Sequence, residues 1–530
     1  MKQLNALLLS LLLFATTNVW AQQRYLDEIF PNISETKGVK FSTQVPEPKN
    51  GGGWYESVLL ATPVNAKEHD TRNRNLYMDI FQPFGDDNTK RPVFIVCFGG
   101  GFVFGDRTMG DIRALAIQMA KRGYVTAAID YRLGMNIFDE GAALRAVYRA
   151  LQDGRSAIRY FRANAEALKI DPNQIFIGGH SAGAFIALQN AYLDKESERP
   201  AATRNTSYRW GAWLGTRRYN LPDQGCLDCA GDNRHVSGKA NAVVSLSGAV
   251  GFLEHIEGNN DVPNVMFHSK DDIVVSYNDA QPFNNFSFLV VGFDLPVAYG
   301  SNPINNRAQQ VNAPAQFYSY NKRGHDVHVD GLINSALGRG NLHSDIVPRI
   351  SQYLYDTRLK PAGYNISGTS VVNLMAENTH TYTLDASEVT KVLWELEGGK
   401  IIKQTGQEVT IRWYTSGEHR LKATPIGTND ARGTTISVPV LVLGKSTGLD
   451  ASLQMYPNPS ARTLKVKLNE ASVNQIQAVI YNERGQAIYQ GLLQKQGRQF
   501  NINVLNLPIG KYYLKIQQNG KVLHKTFLKD

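Results

Sequence analysis

Short apolar runs alternate with helical patterns from about residue 54 to residue 355, an order that predicts a mainly parallel sheet with crossover helices. Seven runs read as strands, at 74–81, 92–98, 125–131, 174–178, 242–246, 264–268 and 315–320. They are apolar on both faces, as burial between two helical layers requires. Leu144, Val147, Leu151, Ile158 and Phe161 recur at spacings of three, four and seven, which predicts one long helix. The expected class is α/β, followed by two small all-β sandwiches.

After Pro361 the helical patterns stop. TYTLDA, KVLWELEGG, EVTIRWYTSGEHRLKATP and TISVPVLVLG read as strands separated by Gly, Asn and Thr turns, which predicts a compact sandwich. Trp394 and Trp413 fall on runs placed to form facing core strands, with contact to carbohydrate as the alternative role. The segment resembles the PKD or immunoglobulin-like modules of secreted bacterial enzymes. The stretch GKSTGLDAS then reads as a linker, and MYPNPSARTLKVKL, IQAVIYNERGQAIYQ, FNINVLNLPIGKYYLKI and KVLHKTFLKD as the strands of a second sandwich. YPNP at 456–459, the IYNERGQ hairpin, the LPIGKYYLKI strand and the basic end resemble the C-terminal sorting domain of type IX secretion substrates in Bacteroidetes. That resemblance implies recognition of residues 455–530 by the secretion machinery, passage through the outer membrane, and either surface attachment or release.

At the other end, a lysine, an apolar run from Leu7 to Ala15 and then Val19-Trp20-Ala21 predict a signal peptide cleaved after Ala21. The alternative is a membrane anchor, but a run of roughly nine residues is too short to span a bilayer, and no transmembrane segment is expected elsewhere. The expected organisation is therefore a signal peptide at 1–21, a catalytic domain at 22–362, a PKD or immunoglobulin-like sandwich at 363–445, a linker at 446–454 and the sorting domain at 455–530.

Composition changes this picture little. The net charge is +9, but residues 455–530 hold 11 Lys plus Arg against 3 Asp plus Glu, so the remainder is nearly neutral. No aromatic-interleaved basic stripe is present there, and nucleic acid is not an expected partner. Three cysteines cannot build a disulfide scaffold. Cys97 lies in a strand-like run and reads as an inert core residue. Cys226 and Cys229 form a CxxC that reads as a local disulfide, with a redox pair or half a zinc site as the alternatives.

The chemistry concentrates at Gly178-Gly179-His180-Ser181-Ala182-Gly183-Ala184. A GxSxG pentapeptide alone is a weak signal. Here the apolar QIFIGG runs into it and AFIALQNAYL leaves it, the strand, turn and helix that a nucleophile elbow needs. The bland alternative is a serine capping an ordinary helix. The run VFIVCFGGGFVFGD ends in Gly99-Gly100-Gly101, a loop able to turn main-chain N–H groups toward a reacting carbonyl. It occupies the place of the HGGG loop in the carboxylesterase and hormone-sensitive-lipase-like branch of the α/β-hydrolase superfamily, with Phe98 where that motif has histidine. Resemblance to this branch, which includes acetyl and feruloyl esterases, extends over LYMDIFQP, AAIDYRLG and IDPNQIFIGGHSAGA, roughly residues 54 to 355. It implies Ser181 as nucleophile and Gly100, Gly101 and Ala182 as oxyanion donors.

The superfamily orders its triad Ser, acid, His. NVMFHS leads into Lys270-Asp271-Asp272-Ile273-Val274-Val275, which resembles the HGxxDxxVP acid loop and puts Asp272 at the acid position, with Asp271 the neighbour that a shifted register would promote. QFYSYNKRGHDVH places His325 beyond the last strand as the base; His328 is the runner-up, and His343 is assigned to the closing helix. Insertions at 192–240, with Tyr208, Trp210, Trp213 and Tyr219, and at 276–314, with Phe283, Phe286, Phe288 and Phe293, are expected to shape the pocket. The expected reaction is hydrolysis of an ester substrate through an acyl-enzyme, with no cofactor and no metal. The rivals are a peptidase or amidase of the same fold, and an inactive surface-binding protein.

Overall fold

Eight strands form one sheet in the first part of the chain. In chain order the elements are β1 (Ile33–Lys49), β2 (Lys67–Pro83), β3 (Arg91–Cys97), α1 (Gly110–Ala120), β4 (Val125–Ile129), α2 (Glu140–Ala163), β5 (Ile170–His180), α3 (Ala182–Tyr192), β6 (Thr206–Trp210), β7 (Arg217–Leu221), β8 (Ala242–Leu246), β9 (Asn264–Ser269), β10 (Asp279–Ala280), β11 (Ala298–Tyr299), α4 (Ser301–Val311), β12 (Ala315–Tyr320) and α5 (Ile346–Leu354). The sheet order is β1-β2-β4-β3-β5-β8-β9-β12. β1, β2 and β4 pair antiparallel; from β4 onward every pairing is parallel. The computed structural model describes residues 22–50, 65–210, 217–283, 294–330, 341–374, 377–444, 453–468, 473–518 and 521–530. The expected signal peptide, Trp213, Phe286, Phe288, Phe293 and most of the expected linker lie outside these residues.

β3, β4, β8 and β9 are buried along their whole length, which explains why their sequences are apolar without alternation. β1 escapes the sequence analysis for the opposite reason. It is an edge strand, mostly polar and largely exposed, with Pro46 and Pro48 near its end, where a missing N–H costs no ladder bond.

α2 fixes one side of the future site. Asp139 caps it by accepting from the Ala142 N–H at 2.9 Å, a bond worth about 1 kcal/mol. Arg145 and Arg149 reach the buried Glu68 carboxylate, and Arg155 and Arg159 reach Asp228. Cys226 and Cys229 are joined by a disulfide that brackets Asp228, so the loop and the helix are tied through these ion pairs. Cys97 is fully buried, and burial raises its thiol pKa. Removing Glu68 would strip two buried guanidinium groups of their main anion, leaving Arg145 only the Asp139 carboxylate at 3.6 Å, at a cost of about 3–5 kcal/mol.

The first compact unit comprises the residues up to Leu359 together with Asn429–Ala431, and the second comprises Lys360–Thr428 and Arg432–Asp530. Within the second, two four-stranded sheets enclose one core that includes Trp394 from one sheet and Trp413 from the other. Both tryptophans are buried, so they are core residues rather than a surface for sugar. Residues from 454 onward form a three-stranded and a four-stranded sheet around a second core. Leu441 and Leu443 share an apolar cluster with Val479 and Tyr481, so the two β-modules pack on each other within this unit. No helix among the described residues is long and apolar enough to cross a membrane.

Candidate active site

β5 ends at His180 and α3 begins at Ala182, leaving Ser181 alone at the bend with φ +52° and ψ −117°. A non-glycine residue in that region is strained by about 1–3 kcal/mol. The bend is held by the Ser181 N–H donating to the Leu246 carbonyl at 2.9 Å, and by the Ser181 carbonyl accepting from Ala184 and Phe185. A Cβ on Gly179 would lie 2.5 Å from the Cys97 carbonyl oxygen, and one on Gly183 would lie 2.2 Å from the same atom. Neither position admits a side chain, which is the physical content of the motif at the elbow.

β3 runs out beside β5 into the glycine loop. Gly100 has φ +125° and Gly101 φ +60°, and the Gly100 carbonyl accepts from Val103 and Phe104, which folds the loop back on itself. Gly101, Ser181 and Ala182 line one cavity. Ala182 is the first residue of α3, so its N–H belongs to the set that a helix leaves without an internal partner. Phe98 stacks on Tyr131 with ring centroids 4.1 Å apart, and the Tyr131 hydroxyl donates to the Phe98 carbonyl at 3.0 Å. An aromatic pair thus anchors the start of a loop that resembles one beginning with histidine.

Asp272 and Asp271 part ways in the structure. Asp272 is buried, and its carboxylate accepts from the Val274 and Val275 N–H groups at 2.8 and 3.0 Å. His325 Nδ1 lies 2.9 and 3.1 Å from its two oxygens. Burial alone would raise this carboxyl, but the charge and hydrogen bond of His325 and the hydrogen bond of His268 hold it well below the usual carboxylate range. Asp271 instead accepts from the Ser269 hydroxyl and, at 3.0 Å, from the Gly324 N–H. It shapes the histidine loop without touching the histidine ring.

The His325 carbonyl accepts from the Ser247 hydroxyl at 2.6 Å and from His180 Nε2 at 3.2 Å. His180 is the residue before Ser181, so the His325 loop is tied directly to the bend. His328 turns elsewhere, its Nε2 facing Asp111 Oδ2 at 3.0 Å. His343 lies three residues before α5 rather than in it, and its carbonyl accepts from the Ile346 N–H. Asp111, His180 and His328 bring their nitrogens and oxygens within 4.8 Å of one another, a spacing that a metal ion could use; Asp111 and His328 are joined there by a hydrogen bond. Burial, with His328 and His325 nearby, lowers the His180 pKa far below its ordinary value, so this ring is neutral.

The cavity above Ser181 measures about 90 Å³, and its walls are apolar. Leu144, Val147 and Leu151 of α2 form one side, and Phe185, Phe252 and Phe283 close around it. The second insertion thus contributes Phe283, as expected. The first lines it through Leu193 and Pro200 and not through its expected rings: Tyr208, Trp210 and Tyr219 gather around His69, with Tyr219 stacked on it at 3.6 Å, and none of the three lines the cavity. The α2 wall was missed as a pocket element because a helix face that lines a cavity and one that packs on a sheet carry the same periodicity.

Residues 78–258 match the family BD-FAE, and residues 454–530 match the family described as Secretion system C-terminal sorting domain. Among curated proteins, Gut esterase 1 of Caenorhabditis elegans is 36% identical over 18% of this chain and 17% of its own length. Isoprenylcysteine alpha-carbonyl methylesterase ICME of Arabidopsis thaliana is 33% identical over 22% of this chain and 24% of its own length. The chain thus spans a quarter or less of the length of these relatives. Among solved structures, Thermogutta terrifontis esterase 2 phosphorylated by paraoxon is 19% identical, with a TM-score of 0.37, covering 54% of this chain and 90% of that one.

Proposed function

We propose, from the premise that the chain carries a BD-FAE domain of the α/β-hydrolase esterase family followed by a type IX sorting domain, that it is an exported serine carboxylic-ester hydrolase. The observation that supports this most is the buried Asp272–His325 pair, tied through His180 to a strained serine at the floor of an apolar cavity.

In the proposed cycle, Ser181 Oγ attacks the ester carbonyl carbon while its proton passes to His325 Nε2. Asp272 keeps the His325 Nδ1 proton in place and stabilises the imidazolium. The oxyanion is met by the N–H groups of Gly100, Gly101 and Ala182, each such donor being worth about 2.7–4 kcal/mol. Collapse expels the alcohol, which takes the proton from His325. Water, deprotonated by His325, then attacks the acyl-Ser181, releasing the carboxylic acid and restoring the serine.

An apolar cavity suits an uncharged acyl group larger than acetyl. Feruloyl esters of polysaccharides fit this better than acetyl esters, and residues 455–530 would deliver the enzyme to the cell surface or the medium, where such polymers are met. A fluorophosphonate probe is expected to label the wild-type protein and not Ser181→Ala, with turnover of p-nitrophenyl acetate and methyl ferulate but of no aminoacyl arylamide. Failure of the wild type to label removes the reading; arylamide turnover replaces it with an amidase.

A further inference from the structure

We propose that His268 is a positioning residue of this reaction, holding the Asp272 carboxylate against His325 through a second imidazole hydrogen bond. The inference rests on the ester-hydrolase reading above and assigns a role to a residue that does not meet the substrate.

His268 is the penultimate residue of β9 and is fully buried. Its Nε2 lies 3.1 Å from Asp272 Oδ2 and 3.0 Å from the Val275 carbonyl oxygen. A carboxylate and a carbonyl only accept, so Nε2 carries a proton. Its Nδ1 lies 3.4 Å from the Ser301 nitrogen, whose N–H donates to it, and 2.9 Å from the Ser301 hydroxyl at the start of α4. A ring nitrogen that accepts an N–H is unprotonated. The imidazole is therefore neutral and locked in one tautomer by partners on two separate elements.

Four groups donate to the carboxylate. Val274 and Val275 N–H groups bind Oδ1 and His268 Nε2 binds Oδ2, while His325 Nδ1 lies nearer Oδ2, at 2.9 Å, than Oδ1, at 3.1 Å. The two main-chain bonds fix Oδ1; His268 fixes Oδ2, the oxygen nearer to His325. It does so from a neutral ring, so it adds no competing charge beside the base. The titratable groups that face it are Asp272, the Tyr277 ring at 5.8 Å and, across the shared carboxylate, His325; Ser301 from α4 is neutral.

The substitution pair H268Q and H268N tests this in the full-length protein. Glutamine puts an amide N–H near the Nε2 position and asparagine near Nδ1, so only the first keeps a donor on Asp272. H268N is expected to lower kcat about 10- to 100-fold, the range for a hydrogen bond to a charged group, with KM little changed. The acidic limb of kcat/KM should move to higher pH, because a carboxylate with one donor fewer holds the His325 proton more tightly. H268Q should recover most of both effects. An H268N protein that melts like the wild type and keeps its kcat and pH profile overturns the proposal. So does equal damage in H268N and H268Q with no movement of the acidic limb. If H268N is unfolded at the assay temperature, S301A decides: it loses the hydroxyl that faces Nδ1, and a smaller shift of the limb in the same direction supports the role, whereas an unmoved limb overturns it. Wild-type labelling by the fluorophosphonate reports separately on the hydrolase reading, since none of these variants touches Ser181.

Discussion

The proposed reacting groups and the wall of the cavity come from different layers of the same unit. Ser181, Asp272 and His325 follow the C-terminal ends of β5, β9 and β12 by one, three and five residues, on loops held by main-chain bonds. Leu144, Val147 and Leu151 project from the side of α2, and Phe283 comes from a long insertion. Chemistry is thus tied to backbone geometry, while shape is left to packing. Strand ends are dictated by the ladder, so a change there disturbs the reaction; a helix flank can change its side chains and leave the ladder intact.

The largest effects should fall on the strand-end side. Ser181→Ala is expected to reduce kcat by about 10⁶, measured by single-turnover hydrolysis, with the melting temperature preserved. Asp272→Asn should cost about 10⁴, whereas Asp271→Asn, which loosens only the Gly324 and Ser269 contacts, should cost about tenfold or less. Equal losses at the two positions would erase the distinction between a residue that touches the base and one that shapes its loop.

Changes on the α2 wall should alter preference and not chemistry. Val147→Trp is expected to shift the ratio of kcat/KM values for long and short acyl esters by about 10- to 200-fold, the worth of a methylene or two of pocket depth. The rate of labelling by a small fluorophosphonate should hold. The smallest effect belongs to the clamp behind the wall: Cys226→Ser should lower stability by about 1–2 kcal/mol, since the loop that the disulfide closes is short, and leave kcat alone. A large loss of kcat there would mean that wall and chemistry are not separable.

The same division governs what was legible in the chain. Buried parallel strands are apolar throughout, and the elbow needs glycines at two contact points, so both leave a mark in the residues themselves. β1 left none, because an exposed edge strand with prolines looks like a loop. Asp271 and Asp272 are chemically identical neighbours, and only the direction of the turn after β9 separates a carboxylate bonded to His325 from one bonded to Gly324. Tyr208, Trp210 and Tyr219 have the ring content of a pocket wall, yet they close around His69, a partner more than 130 residues away in the chain. Composition gives ring number; it does not give address.

The arginines of α2 have a consequence for adaptation. Glu68 and Asp228 hold the helix by its polar flank; on the cavity side Leu151 is fully buried against Tyr148, Leu193 and Leu227, whereas Leu144 and Val147 are only partly buried. Selection can therefore trial new residues at the two partly buried cavity positions with the helix still tied through its ion pairs. Directed-evolution libraries confined to Leu144 and Val147 should hence return many folded members with divergent ester tastes, where equal-sized libraries at the bend around Ser181 should return few.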